Sequence, residues 1–199
     1  MFWDKVSPIY DIIENLYNGR VYKGTGEAVA CFIEASDNVL ECACGTGAIS
    51  KAIAKKCKTL IATDFSDGML RRASKKLKNC ENVTTARANI MDLDYRDGQF
   101  DKVVAGNVIH LLAEPEKALR ELERVVKTGG MIIIPTYINR AKKGSEKAAK
   151  LFERFGADFK RQFDLDSYRG FLSELGCVDV RYSVVEGRMP CAIAVITKA

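Results

Sequence analysis

The residue types with chemical potential gather in two places. Residues 41–47 read Glu-Cys-Ala-Cys-Gly-Thr-Gly between apolar runs, and Asp64 falls near the end of the apolar stretch TLIATDF. The Cys-x-Cys pair invites a metal reading, but structural zinc sites use four ligands at recurring spacings. Here His110 is the single histidine and no second close cysteine pair exists, so no metal is expected. A phosphate-cradling loop needs Gly-Lys-Ser/Thr after its glycines, whereas Ala48, Ile49, Ser50 and Lys51 follow Gly47. A dinucleotide loop comes closer, because Gly45-Thr46-Gly47 lies at a strand-to-helix turn and Asp64 stands where a ribose-binding acid belongs. Its third glycine is replaced by Ser50. Glu41, directly before the turn, would repel a pyrophosphate and attract a positive centre.

A ligand with a ribose diol, no phosphate, a cationic centre and an amino-acid tail satisfies all of these features, and S-adenosylmethionine is such a ligand. Gly45 and Gly47 would let backbone approach it closely. Asp64 would accept both ribose hydroxyls, Glu41 would offset positive charge, and helix N-terminal amides after Gly47 would meet the methionine carboxylate. Ser66 suits the cap of the following helix better than Asp64 does. Cys42 and Cys44 are read as packing residues.

These residues need a scaffold of alternating strands and helices. Two helical patterns open the chain, over 8–18 and 24–36, and an apolar and acidic stretch follows at 38–43. The patterning then predicts a strand at 59–65, a helix at 67–79, strands at 82–88 and from 100 into a loop by 112, and a helix over 114–127 with Pro115 in its first turn. Gly129-Gly130 punctuates before the strand MIIIPTY, a helix is expected around 166–175, and VDVRYSVVEGRMPCAIAVITK reads as two strands joined by a Gly-containing turn. Such alternation predicts an α/β fold: a Rossmann-like, doubly wound, mostly parallel seven-stranded sheet with a C-terminal antiparallel hairpin and helices on both faces. Asn107, after the fourth strand, sits where parallel sheets meet ligands.

The 199 residues, 47% apolar and 29% charged, have ordinary globular composition. The opening segment carries charges at Asp4, Lys5, Asp11 and Glu14 and no run reaches membrane-spanning length, so a cytoplasmic protein is expected. Seven cysteines, an odd number mostly in apolar stretches, fit reduced thiols. Of the net charge of +5, residues 140–169 supply +4, with nine Lys or Arg against five acids. A solvated helix face is the ordinary meaning of such a segment. Phe152, Phe155, Phe159 and Phe163 within it either form a helix core face or close an apolar pocket.

The motifs resemble those of class I S-adenosylmethionine-dependent methyltransferases, and more narrowly the ubiquinone and menaquinone biosynthesis branch. VLECACGTGAIS is similar to the family's first motif, ATDFSDGML to its second, ANIMDLDYRDGQFDKVVAGNVIHLL to its third and fourth, and LRELERVVKTGGMIII to the segment that follows. The resemblance implies Asp64 as ribose ligand with Phe65 and Met69 flanking the adenosine, Asn89 and Ile90 at the adenine, and Tyr10 and Tyr22 on helices covering the cofactor. Ala43 departs from the usual first glycine, and Asn89 stands where an Asp is common. The only histidine, His110, invites a catalytic-base reading and also matches a position where the family often carries histidine. Thr136 and Tyr137, ending the fifth strand, are expected toward a small-molecule acceptor. The chain then divides into covering helices (1–36), a cofactor-binding core (37–137), a lid or substrate-facing insertion (138–172) and closing strands (173–199), in one domain. S-adenosylhomocysteine would be the product. Gly106-Asn107-Val108-Ile109 replaces the Asn-Pro-Pro-Tyr or Asp-Pro-Pro-Tyr tetrapeptide of base methylation, so nucleic acid is not an expected partner. Two rivals remain open: a nicotinamide-dependent oxidoreductase, which should lack Glu41 and show the third glycine, and a non-catalytic nucleoside- or RNA-binding protein using the basic segment.

Overall fold

A computed structural model describes residues 2–139 and 161–199. Its centre is one sheet of seven strands: β1 (Asn38–Cys42), β2 (Thr59–Asp64), β3 (Val83–Arg87), β4 (Phe100–Ala105), β5 (Val126–Tyr137), β6 (Arg181–Val185) and β7 (Cys191–Thr197). They lie in the order β3-β2-β1-β4-β5-β7-β6. The first five pair in parallel, and β7 runs antiparallel to both β5 and β6. The expected architecture, closing hairpin included, is therefore present.

Near-continuous apolar runs make these strands, because both faces of a parallel sheet are covered and every position needs an apolar side chain. The period of two sorts them. Leu40, Val103, Ile132 and Ile134 pack with Leu119, Leu122 and Val125 of α4 (Pro115–Val125) and with Tyr168 and Leu172 of α5 (Leu165–Glu174). Val39, Val104 and Ile133 face the other way, against Val29, Ile49, Ile53, Ala73 and Leu77 of α1 (Phe2–Ala30), α2 (Ala48–Ile53) and α3 (Asp67–Leu77).

Local chemistry fixes the helix ends. Ser66 caps α3 by accepting the Met69 amide at 3.2 Å, as the sequence predicts. Asp164 and Ser167 form a reciprocal capping box on α5. On α4, Glu121 accepts the Leu93 amide at 2.8 Å, and Arg124 bridges the Tyr95 and Leu93 carbonyls at 2.7 and 2.8 Å. Those contacts pin the loop between β3 and β4.

Two departures from the sequence reading are informative. The expected pair of N-terminal helices is present as one segment, α1, that breaks at Asn18, where the first helix is expected to end and where the Asn18 carboxamide pairs reciprocally with the Met189 backbone at 2.8 and 3.2 Å. It ends at Ala30, short of residue 36. Gly129-Gly130 does not separate helix from strand: it lies inside β5, where the pairing with β4 shifts between Phe100 and Lys102. Other boundaries differ by one or two residues. Of the 138–172 segment, Phe152, Phe155, Phe159 and most of the basic residues lie outside the described residues. Phe163 is buried against Tyr168 and Phe171.

Leu122 is fully buried on α4. Leu122→Ala is expected to lower unfolding stability by about 2–5 kcal/mol, the usual range for a buried leucine truncation, measured by urea denaturation.

Candidate functional site

The chain reverses strand order between β1 and β4, and ligands bind parallel sheets at such a point beyond the carboxyl ends of the strands. A cavity of about 360 Å³ opens there. Glu41 of β1 and Asp64 of β2 both reach it, with Ala43, Gly45, Phe65, Met69, Asn89, Ile90, Asn107, Tyr10, Tyr22 and Tyr137. The size is that of a small-molecule site.

The loop after β1 is held in left-handed conformations at Ala43 (φ 54°), Gly45 (φ 55°) and Gly47 (φ 81°). At Ala43 this explains why glycine is the easier choice, since the left-handed region costs an ordinary residue about 1–2 kcal/mol. The Cys44 amide donates to the Thr63 carbonyl at 2.8 Å, and the Gly45 amide to Asp64 Oδ2 at 2.8 Å. Asp64 Oδ1 accepts the Ser66 amide at 2.8 Å. Each carboxylate oxygen keeps a second lone pair for a ligand. Gly47 sits outside the cavity wall: a Cβ there would meet Ala73 Cα of α3 at 3.3 Å. Its task is helix packing, contrary to the expected backbone approach to ligand.

Glu41 is fully buried, and its Oε2 has no hydrogen-bond partner among the described residues. Burial pushes its carboxyl up to about 8; Ser50 counteracts part of this and the charge of Asp64 adds to it. Asp64 is itself raised by burial, against the pull of its amide donors. A fully buried carboxyl and a partly buried one beside one cavity make it hostile to anions and receptive to a cation. The neighbouring thiols are inert: burial raises Cys42 to about 12 and Cys44 well above the usual thiol value. Both pack as expected.

The wall opposite the loop is α1, the element expected to cover the cofactor, and two of its carboxylates hold it there. Asp4 accepts the Ser66 hydroxyl at 2.7 Å and the Gly68 amide at 2.8 Å. The fit is close, since a Cβ on Gly68 would meet Asp4 Cα at 2.8 Å. Seven residues on, Asp11 accepts Tyr22 Oη at 2.7 Å, takes the Thr46 hydroxyl and pairs with Lys76 at 2.8 Å. Two carboxylates thus latch α1 over two of the loops that line the cavity. The Tyr-Asp pair in WDKVSPIYD was the available signal; nothing in the pattern marks Asp4.

Asn107 adopts φ 53° after β4, and its carboxamide accepts the Tyr137 amide at 3.0 Å. The Asn89 side chain accepts the Met91 amide at 3.1 Å. Phe65 is half-exposed, with the Arg87 guanidinium 4.9 Å from its ring centroid. Thr136 and Tyr137 part company: side chains alternate across a strand, so Thr136 is buried and lines neither this cavity nor a smaller chamber beside it, while Tyr137 lines both. His110 sits in a short 3-10 turn, Ile109–Leu111, and borders the smaller chamber rather than the main cavity. Burial lowers its imidazole to about 4, so the ring is neutral at physiological pH.

Residues 40–134 match the family model described as a methyltransferase domain. The demethylmenaquinone methyltransferase of Clavibacter sepedonicus is 36% identical over 136 residues, 66% of this chain and 55% of that protein. The chain spans just over half the length of the curated relatives it matches. Among solved structures, an S-adenosylmethionine-dependent methyltransferase of Thermotoga maritima described as a possible histamine N-methyltransferase superposes with a TM-score of 0.77 at 18% identity, covering 100% of this chain and 99% of that one. A Methanococcus maripaludis structure described as a putative S-adenosylmethionine-dependent methyltransferase gives 0.72 at 21% identity, covering 100% and 94%.

The raised carboxyl of Glu41 has a consequence for stability. Its folded value of about 8 lies above an unfolded value of about 4.3. The native state therefore holds the proton more tightly, and the contribution is complete below the unfolded value and lost as pH rises toward 8. Glu41→Gln is expected to flatten that loss, leaving the ligand-free variant more stable than wild type at pH 8 by at least about 1.4 kcal/mol, the worth of one pKa unit. Urea titrations across pH 5–8, about the window between the two values, measure this.

Proposed function

We propose, from the match of residues 40–134 to a methyltransferase-domain model and the geometry of the cavity, that the chain transfers the methyl group of S-adenosylmethionine to a small-molecule acceptor by in-line displacement. The single observation that carries this reading is the buried, unpartnered Glu41 oxygen facing a cavity whose other carboxyl, Asp64, is suited to a ribose diol. The residues present fit that cofactor. Glu41 would compensate its positive charge, Asp64 would accept the ribose hydroxyls, and Gly45 and Ala43 would bring backbone against it. Phe65, Met69 and Ile90 would enclose the adenosine, with Asn89 at its polar edge. Tyr10, Tyr22 and Asn107 would cover the methionine end. Bound there, the sulfonium supplies an already activated methyl group.

What the chain then contributes is alignment and exclusion of water. Trp3, Tyr10, Leu111 and Tyr137 border both the main cavity and the smaller chamber, so an acceptor in the chamber would lie against the cofactor cavity with apolar and aromatic walls around it. The Asp4 and Asp11 latches keep α1 closed over the site. His110 is neutral and buried beside the chamber, and its value of about 4 makes it a weak proton acceptor, so alignment rather than a dedicated base carries the step. The seven cysteines are all unpaired thiols, which supports a cytoplasmic setting. Among the described residues no helix is long and apolar enough to cross a membrane.

Calorimetric titration is expected to give micromolar binding of S-adenosylmethionine and S-adenosylhomocysteine and none of NADH, with Asp64→Ala losing both ligands. Glu41→Gln should weaken the sulfonium more than the neutral thioether, by about tenfold in the ratio, or about 1.4 kcal/mol. Binding of NADH alone would overturn the reading.

A further inference from the structure

The smaller chamber, about 70 Å³, adjoins the cofactor cavity through Tyr10, Asn107 and Tyr137. Its one deeply buried carboxyl is Glu14, on α1, only 3% exposed. Tyr137 donates its hydroxyl to Glu14 Oε2 at 3.1 Å, and Tyr10 hydrogen-bonds the same carboxyl. No cation lies within salt-bridge distance of Glu14 among the described residues. Arg161 also borders the chamber, but its guanidinium stacks 5.4 Å from the Phe171 centroid and donates to the Leu112 carbonyl at 2.9 Å. Aromatic rings from Trp3, Tyr10, Tyr137 and Phe163 complete the wall.

A buried carboxyl with phenol donors and no counter-ion is costly unless something offsets its charge. An aromatic enclosure around it is attractive to a desolvated ammonium through the ring faces. We propose that this chamber is the acceptor subsite and that it takes a methyl acceptor bearing a protonated amine, held by the ionised Glu14 carboxylate within the aromatic wall. The proposal rests on the methyl-transfer reading of the neighbouring cavity. Burial pushes Glu14 up to about 7, with the Asp11 charge adding to it and the two phenols opposing it. Tyr10 and Asp11 on its own helix, Tyr22 farther along it, Tyr137 of β5, Cys191 of β7 and His110 across the chamber are the titratable groups around it. Burial holds the tyrosines and the cysteine protonated and the histidine neutral at physiological pH. An arriving ammonium therefore displaces the Glu14 proton to solvent and pairs with the carboxylate. Affinity for the amine rises as pH increases through about 7.

The test is calorimetry on protein saturated with S-adenosylhomocysteine, titrating phenethylamine, its neutral isostere phenethyl alcohol, and hydroquinone. Phenethylamine should bind at least about tenfold more tightly than either neutral probe at pH 8, with proton release that fades as pH rises. Glu14→Gln should abolish the preference while S-adenosylhomocysteine still binds as in wild type, which also reports folding. Tyr137→Phe removes the hydroxyl that favours the carboxylate, so the pH midpoint for amine binding should move upward, a change that a merely structural role would not produce. Equal or tighter binding of hydroquinone or the alcohol, undiminished amine binding in Glu14→Gln, or no binding of any probe would overturn the proposal. Failure of S-adenosylhomocysteine itself to bind would instead overturn the methyl-transfer reading, and with it the acceptor role.

Discussion

Everything around the cavity depends on two carboxyl groups at the ends of adjacent strands, Glu41 fully buried and Asp64 partly so. Parallel pairing sets them side by side, with Glu41 opposite Ala62 and Cys42 opposite Thr63 in register. Asp64 is stabilised by two backbone amides, one of them from the very loop that follows Glu41. Glu41 has no such support for Oε2. The pair is unequal by construction: one carboxyl holds the loop in shape, and the other stores an unmet demand for positive charge.

That demand shapes the rest. The left-handed turn at 43–47 brings backbone to the cavity without side chains in the way at Gly45. Helix α1 then closes the opposite side with carboxylates of its own, Asp4 on the start of α3 and Asp11 on Thr46, Tyr22 and Lys76. Farther along the same helix, Glu14 reaches the adjoining chamber, and one element thereby covers the cofactor cavity and furnishes the chamber's charge.

The sheet was legible because burial on both faces leaves an unbroken apolar signature in TLIATDF and MIIIPTY, and because the strand-loop-helix grammar around Gly45 and Asp64 is local in sequence. Ser66 as cap and the closing hairpin were readable for the same reason. The failures share a cause: they turn on contacts distant in the chain. Gly129-Gly130 looks like punctuation but serves a bulge against β4. Thr136 and Tyr137 are neighbours in sequence and opposites in space. Glu14 reads as an ordinary solvated acid in IIENLY, and only the packing of α1 against β5 turns it inward. Position beside the cavity was legible for Glu41, Asp64, Phe65, Met69 and Asn107; the latches and the chamber were not.

The central claim is that a protonated, desolvated Glu41 becomes ionised when a cation arrives beside it. Proton release on ligand binding tests this most directly, read by calorimetry at pH 7, about one unit below the folded value, in buffers of differing ionisation enthalpy. The account predicts that S-adenosylmethionine releases more protons than S-adenosylhomocysteine, and that the difference vanishes in Glu41→Gln. Equal release by the two ligands, or an unchanged difference in the variant, would contradict it.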